Sequence, residues 1–169
     1  MLSRRWTAKL PDCAAVARRA AMAALASGPA QGAVELSIAL AGDRLARRLN
    51  REFRGQDKPT NVLSFAGDAA SGAARQPRLL GDVVLAFETV QGEAKEQKKP
   101  FADHLSHLVV HGVLHLLGHD HARNAEAAAM ERLERTILAK LGVPDPYRAC
   151  LQSAAVRRRE ARAEVRARP

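Results

Sequence analysis

Residues 101–117, FADHLSHLVVHGVLHLL, constrain the fold more than any other stretch. At about 100° per residue, its leucines and valines fall on almost every side of a helix. Leu105, Val109, Val113, Leu114, Leu116 and Leu117 leave no broad polar face. A helix of this kind has to be covered all round, which puts it at the centre of a domain. It also carries His104, His107, His111 and His115 within an arc of roughly 80°. Imidazoles buried there need partners, because an unpaired polar group in apolar surroundings costs free energy.

The remaining segments supply the cover. Residues 4–10 read as a first strand, and Asp12 as the N-cap of a helix running to about Ser27. GPAQG at 28–32 is a turn. VELSIAL (34–40) places Val34, Leu36, Ile38 and Leu40 on one strand face. Asp43 is positioned to cap a helix in which Leu45, Leu49 and Phe53 repeat at i, i+4, i+8. NVLSF (61–65) and the apolar run GDVVLAF (81–87) read as strands, with a loop over 66–78 between them. Helices are expected at about 88–98, 101–117 and 122–142. The last has Met130, Leu133, Ile137 and Leu141 on one face and stops at Gly142, just before Pro144. The pattern predicts an α+β fold: one domain with a small mixed sheet of about four strands packed with about five helices, the histidine-bearing one buried at the centre. That domain spans residues 1–149. Residues 150–169 form a basic, Arg-rich tail expected to be flexible.

HGVLHLLGHDH (111–121) adds chemistry to the central helix. His111 and His115 stand one turn apart, so both can reach one ion at about 2.0–2.1 Å. Gly118 can end the helix with φ > 0 and turn the chain back, bringing His121 round as a third ligand. Neutral imidazole suits zinc, and also copper, iron or nickel. Three ligands leave a coordination position open, as catalytic sites do and structural zinc sites do not. His104 and His107 read as packing, surface or ligand-orienting residues, and His119 as a turn residue facing solvent or substrate. Asp120 is placed either to orient a ligand histidine or to cap the following helix.

Charge narrows the partners. The net charge is +9 and the pI about 10.5. Six Arg and two Glu in residues 150–169 account for +4 of this, so the body alone carries +5. This balance favours a polyanionic partner such as nucleic acid or an anionic membrane surface. Cys13 and Cys150, the only cysteines, show no pairing pattern, which fits a reducing compartment. No secretory signal is visible, and no stretch approaches the roughly 20 apolar residues that span a bilayer. A cytoplasmic protein with no membrane role is expected. FRGQDKPTNVLSF (53–65) places Arg54 and Lys58 in a loop before a strand, either as an ordinary basic turn or as a phosphate clamp beside the metal. Asn61 can satisfy loop amides, and Asp82 reads as a turn or edge residue.

HGVLHLLGHDH resembles the H-G-x-L-H-L-x-G-x-D-H signature of the YbeY family, bacterial endoribonucleases and ribosomal-RNA maturation factors. RGQDKPTNVLSF, LLGDVVLAFETV and LGVPDPY (141–147) match in the family's order, so the resemblance spans nearly all of residues 34–147. It implies one zinc ion per chain, held by His111, His115 and His121, and implies that Arg54 is the cation needed for activity. The implied function is cleavage of single-stranded RNA in ribosomal RNA processing, chiefly maturation of the 3′ end of small-subunit 16S RNA, together with ribosome quality control. Ribosomal RNA, the small subunit and its assembly factors are the implied partners; DNA is not.

Two other readings compete. The spacing H-x3-H-x2-G-x2-H also belongs to zinc proteases, but those place a glutamate base after the first histidine, where this chain has Gly112. The other is a non-catalytic RNA-binding assembly factor in which zinc only holds the fold. The open coordination position favours an enzyme.

Overall fold

The computed structural model describes residues 3–28, 32–67, 77–119 and 124–148. Six helices and three strands are found among them: α1 (Arg4–Lys9), α2 (Cys13–Leu25), β1 (Val34–Ala41), α3 (Asp43–Arg54), β2 (Val62–Ala66), β3 (Arg78–Ala86), α4 (Phe87–Glu96), α5 (Phe101–Leu116) and α6 (Asn124–Lys140). The architecture is α+β. The sheet order is β1-β3-β2, with β1 parallel and β2 antiparallel to β3. The loop residues 68–76, Asp120, His121, Cys150 and the Arg-rich tail lie outside the described residues.

α5 takes the central place that its sequence demands. It lies against β2 and β3 on one side and against α2, α4 and α6 on others. Leu105, Val109, Val110, Val113 and Leu114 are fully buried in the main core, joined by Val83 and Leu85 of the sheet and by Ile137 and Leu138 of α6. The expected alternation on β1 holds, since Leu36, Ile38 and Leu40 face this core. A smaller core on the other sheet face joins Ala41, Leu63 and Val84 to Leu45 and Leu49 of α3 and to Phe65.

The strand expected at residues 4–10 is instead α1. Trp6, Ala8 and Leu10 fit a period of two, but Trp6 and Leu10 also fit i, i+4, and so short a run does not separate the two. Tertiary contacts decide. Trp6 is fully buried and sits 5.4 Å from both Phe87 and Phe101, ring centre to ring centre. Its indole Nε1 donates to the Ala41 carbonyl at 2.7 Å. The described sheet therefore has three strands rather than about four.

Three local expectations also change. Gly42, not Asp43, is the N-cap of α3. The Asp43 carboxylate instead accepts from the Thr89 backbone N–H at 3.0 Å and its hydroxyl at 2.9 Å, tying α3 to α4. Asp82 lies on the central strand, not at an edge, although its side chain is exposed. β3 begins at Arg78, ahead of the apolar run, because Arg78 and Leu79 pair with Val34 and Glu35.

Candidate metal centre and cleft

α5 ends as its glycine predicts. Gly118 has φ +91°, a conformation that costs glycine little. The Gly118 and His119 N–H groups donate to the carbonyls of His115 and Leu114, at 3.0 Å each, closing a Schellman motif. The turn leaves His115 in the last turn of the helix and His119 just beyond it, half-buried.

The Nε2 atoms of His111 and His115 are 3.2 Å apart. Two imidazole ligands of one tetrahedral ion, each bonded at about 2.0–2.1 Å, would stand roughly 3.3 Å apart. The donor pair thus fits a metal ion. Among the described residues no group of three His, Cys, Asp or Glu side chains converges to hold one. The expected third ligand, His121, lies outside them.

The other side of His111 shows how the ring is oriented. Its Nδ1 is 2.7 Å from Oε1 of Glu134 on α6. Glu134 is fully buried, and its other oxygen accepts from the Tyr147 hydroxyl. Nε2 of His107 lies 3.5 Å from that same oxygen. Burial alone would raise the Glu134 carboxyl, but hydrogen bonds from His107, His111 and Tyr147 outweigh it and hold the group at about 2. Burial and the hydrogen bond to Glu134 push the Tyr147 hydroxyl up. A carboxylate at neutral pH can only accept, so the proton on His111 sits at Nδ1. That tautomer leaves the Nε2 lone pair facing His115, the carboxylate–histidine arrangement typical of metal sites. The carboxylate behind the ligand is therefore Glu134, which the sequence reading passed over. Its signal was present: Glu134 falls inside the Met130, Leu133, Ile137, Leu141 stripe of α6, and a charge on a core face needs a buried partner.

His104 and His107 face inward. His104 is buried, with Nε2 at 2.8 Å from Oε2 of Glu93. Asn61 donates from Nδ2 to both Glu93 oxygens, at 3.1 and 3.0 Å, while its Oδ1 accepts from the Val62 N–H at 2.7 Å. Burial raises the Glu93 carboxyl, and hydrogen bonds from His104 and Asn61 bring it below its usual value. Asn61 thus caps the first amide of β2 rather than a loop amide, and ties the loop before β2 to α4.

Arg54 is the last residue of α3 rather than part of a loop. Its exposed side chain lines a cleft of about 380 Å³ with Ser64, Ala66, His115, Gly118 and His119. An arginine and a histidine 61 residues apart in sequence thus face one concavity. The loop after Arg54 is held by Asn50 Nδ2 donating to the Lys58 carbonyl at 2.8 Å, and by a bidentate Arg47–Asp57 pair at 2.9 and 2.8 Å.

Gly112 lies on the sheet-facing side of α5. It is buried against the sheet, and a Cβ there would lie 2.8 Å from Val83 Cγ1, 3.1 Å from Ser64 Oγ and 3.3 Å from Val62 Cγ2. Ser64 Oγ also donates to the Gly112 carbonyl at 3.0 Å. A glutamate at this position has no room.

The family model for Endoribonuclease YbeY matches residues 3–142. The chain belongs to the YbeY family. An Endoribonuclease YbeY of Paramagnetospirillum magneticum is 56% identical over 148 residues, covering 84% of this chain and 89% of the relative. One from Alkalilimnicola ehrlichii is 53% identical over 143 residues, covering 85% and 86%. A Thermotoga maritima protein solved in solution is 22% identical, with a TM-score of 0.46, over 80% of this chain and 85% of that one. The YbeY match takes in α1 and α2, segments whose sequence carried no family motif. No described helix is long and apolar enough to cross a membrane.

Proposed function

We propose that this chain is a zinc-dependent endoribonuclease that cleaves single-stranded RNA, with His111, His115 and His121 holding the ion and Arg54 engaging the scissile phosphate. The observation that carries the reading is the shared cleft of Arg54 and His115, beside a His111 whose tautomer is set by Glu134. The endoribonuclease name of the relatives gives the reaction class.

The residues divide the work. Glu134 holds His111 in the ligating tautomer, and Tyr147 and His107 hold Glu134. Zinc, when bound, supplies Lewis acidity that stabilises charge on a phosphate or leaving oxygen. The Arg54 guanidinium offers planar, paired donors that match phosphate oxygens. His119, half-buried in the same cleft, is placed to move a proton to or from the reacting phosphodiester. Peptide hydrolysis is disfavoured because the protease's carboxylate position is Gly112, sealed against β2 and β3. We extend the reading to ribosomal RNA as substrate, chiefly the 3′ end of 16S RNA and ribosome quality control, with the small subunit and its assembly factors as partners and a cytoplasmic location.

The test compares wild type with His115→Ala for bound zinc and for cleavage of single-stranded RNA. The variant should lose both; equal cleavage by the two proteins would remove the metal from the mechanism. Arg54→Ala should keep zinc and lose cleavage. Unchanged 16S 3′ ends in cells depleted of the protein would remove the ribosomal assignment.

A further inference from the structure

α3 carries arginine along one face from its first turn to its last. At about 100° per residue, Arg44, Arg47, Arg48, Arg51 and Arg54 fall within an arc of roughly 120°. Leu45 and Leu49, outside that arc, pack on Ala41, Leu63 and Val84, so the arginine face is turned outward. All five arginines are exposed. The first four line a cleft of about 830 Å³ together with Asp43 and Asp57. Arg54, at the end of the same face, lines the cleft of His115 and His119.

The two acids in the larger cleft are already engaged. Asp57 is bound by Arg47 through both oxygens, and Asp43 by Thr89. Arg44 and Arg48 have no carboxylate partner among the described residues. The charges of Arg44 and Arg48 are therefore available to an external anion, while Arg47 is held by Asp57. From Arg44 to Arg54 the helix advances about 15 Å. A stacked strand places about four phosphates over that distance, at roughly 3.4 Å of rise each. The stripe is linear, concave-walled and in line with Arg54. Those features suit a single polyanionic strand, whereas a bilayer surface does not enter a cleft.

We propose that the α3 face bearing Arg44, Arg48 and Arg51 is a track for the phosphate backbone of single-stranded RNA, delivering the strand to Arg54. The proposal rests on the endoribonuclease reading above and adds to it a binding surface outside the reacting centre. Backbone contacts of this kind give affinity without sequence preference and weaken with salt.

The experiment uses the full chain loaded with zinc and two labelled single-stranded RNAs, one long enough to span α3 and one confined to the Arg54 cleft. The Arg44→Ala/Arg48→Ala variant is compared with wild type and with a charge-matched control, Arg18→Ala/Arg19→Ala on the exposed side of α2. Losing two phosphate contacts should reduce the slope of log affinity against log salt by about 1.4, at roughly 0.7 per contact on a single strand. For the long RNA, kcat/KM should fall several-fold. Zinc content, melting temperature and cleavage of the short RNA should be unchanged, and the control should behave as wild type. An unaltered salt slope in the Arg44/Arg48 variant, or an equal loss in the control, overturns the track while RNA cleavage by the wild type stands. A wild type that neither binds nor cleaves single-stranded RNA overturns the endoribonuclease reading, and the track falls with it.

Discussion

His111 Nδ1 and Glu134 Oε1 meet at 2.7 Å, joining the central helix α5 to α6 across 23 residues of sequence. Glu134 is fully buried and holds its charge only because His111, His107 and Tyr147 surround it. The same contact fixes which nitrogen of His111 is left for a metal.

Replacing Glu134 tests that coupling. Glu134→Gln keeps the volume but removes the charge that orients His111. Loss of an orienting partner of this type weakens metal binding by about 10–100-fold. Zinc titration against a competing chelator measures it, and an unchanged affinity would separate Glu134 from the metal site.

Gly112 tests the absence of a protease base. In Gly112→Ala the added methyl meets Val83 Cγ1 at 2.8 Å. Overpacking of this kind costs about 1–3 kcal/mol, against a gain of up to about 1 kcal/mol from better helix propensity. Net destabilisation is expected in urea unfolding. Gly112→Glu should fail to fold stably and show no peptidase activity.

Glu93 gives a pH dependence with a definite sign. Its folded-state carboxyl lies below its ordinary value, so it stabilises the fold above the unfolded carboxyl range near about 4.3. That stabilisation is lost as pH falls through the lower, folded-state value. Unfolding free energies of wild type and Glu93→Gln should therefore differ at pH 7 and converge at acid pH. A gap that stays constant across that range would show that the Glu93 charge does not matter to the fold.

Trp6 anchors α1 against Phe87 and Phe101. Trp6→Ala removes a fully buried indole and its hydrogen bond to Ala41. A loss of about 3–5 kcal/mol is expected by chemical denaturation. A loss below about 1 kcal/mol would indicate that α1 is peripheral to stability.

What the sequence determined by itself is whatever depends on neighbours along the chain. Helical period placed α5 at the centre and set His111 and His115 one turn apart. Gly118 marked the end of that helix, and the order of the motifs identified the family. The same period on α6 located its buried face but not the meaning of Glu134 within it, because a charge on an apolar stripe is explained only by groups from other elements. His107 and His111 come from α5, and Tyr147 from beyond α6. The short segment around Trp6 satisfied both helical and strand periods, and only the aromatic site formed by Phe87, Phe101 and the Ala41 carbonyl chose between them. Arg54 showed its charge in the sequence, but its place beside His115 follows from how α3 and α5 flank β2. Gly112 looked like a missing base. The tertiary structure makes it a close contact, since β2 and β3 approach the helix where a side chain would stand. Local spacing is encoded in consecutive residues, whereas burial and partnership are properties of elements that meet only when the chain has folded.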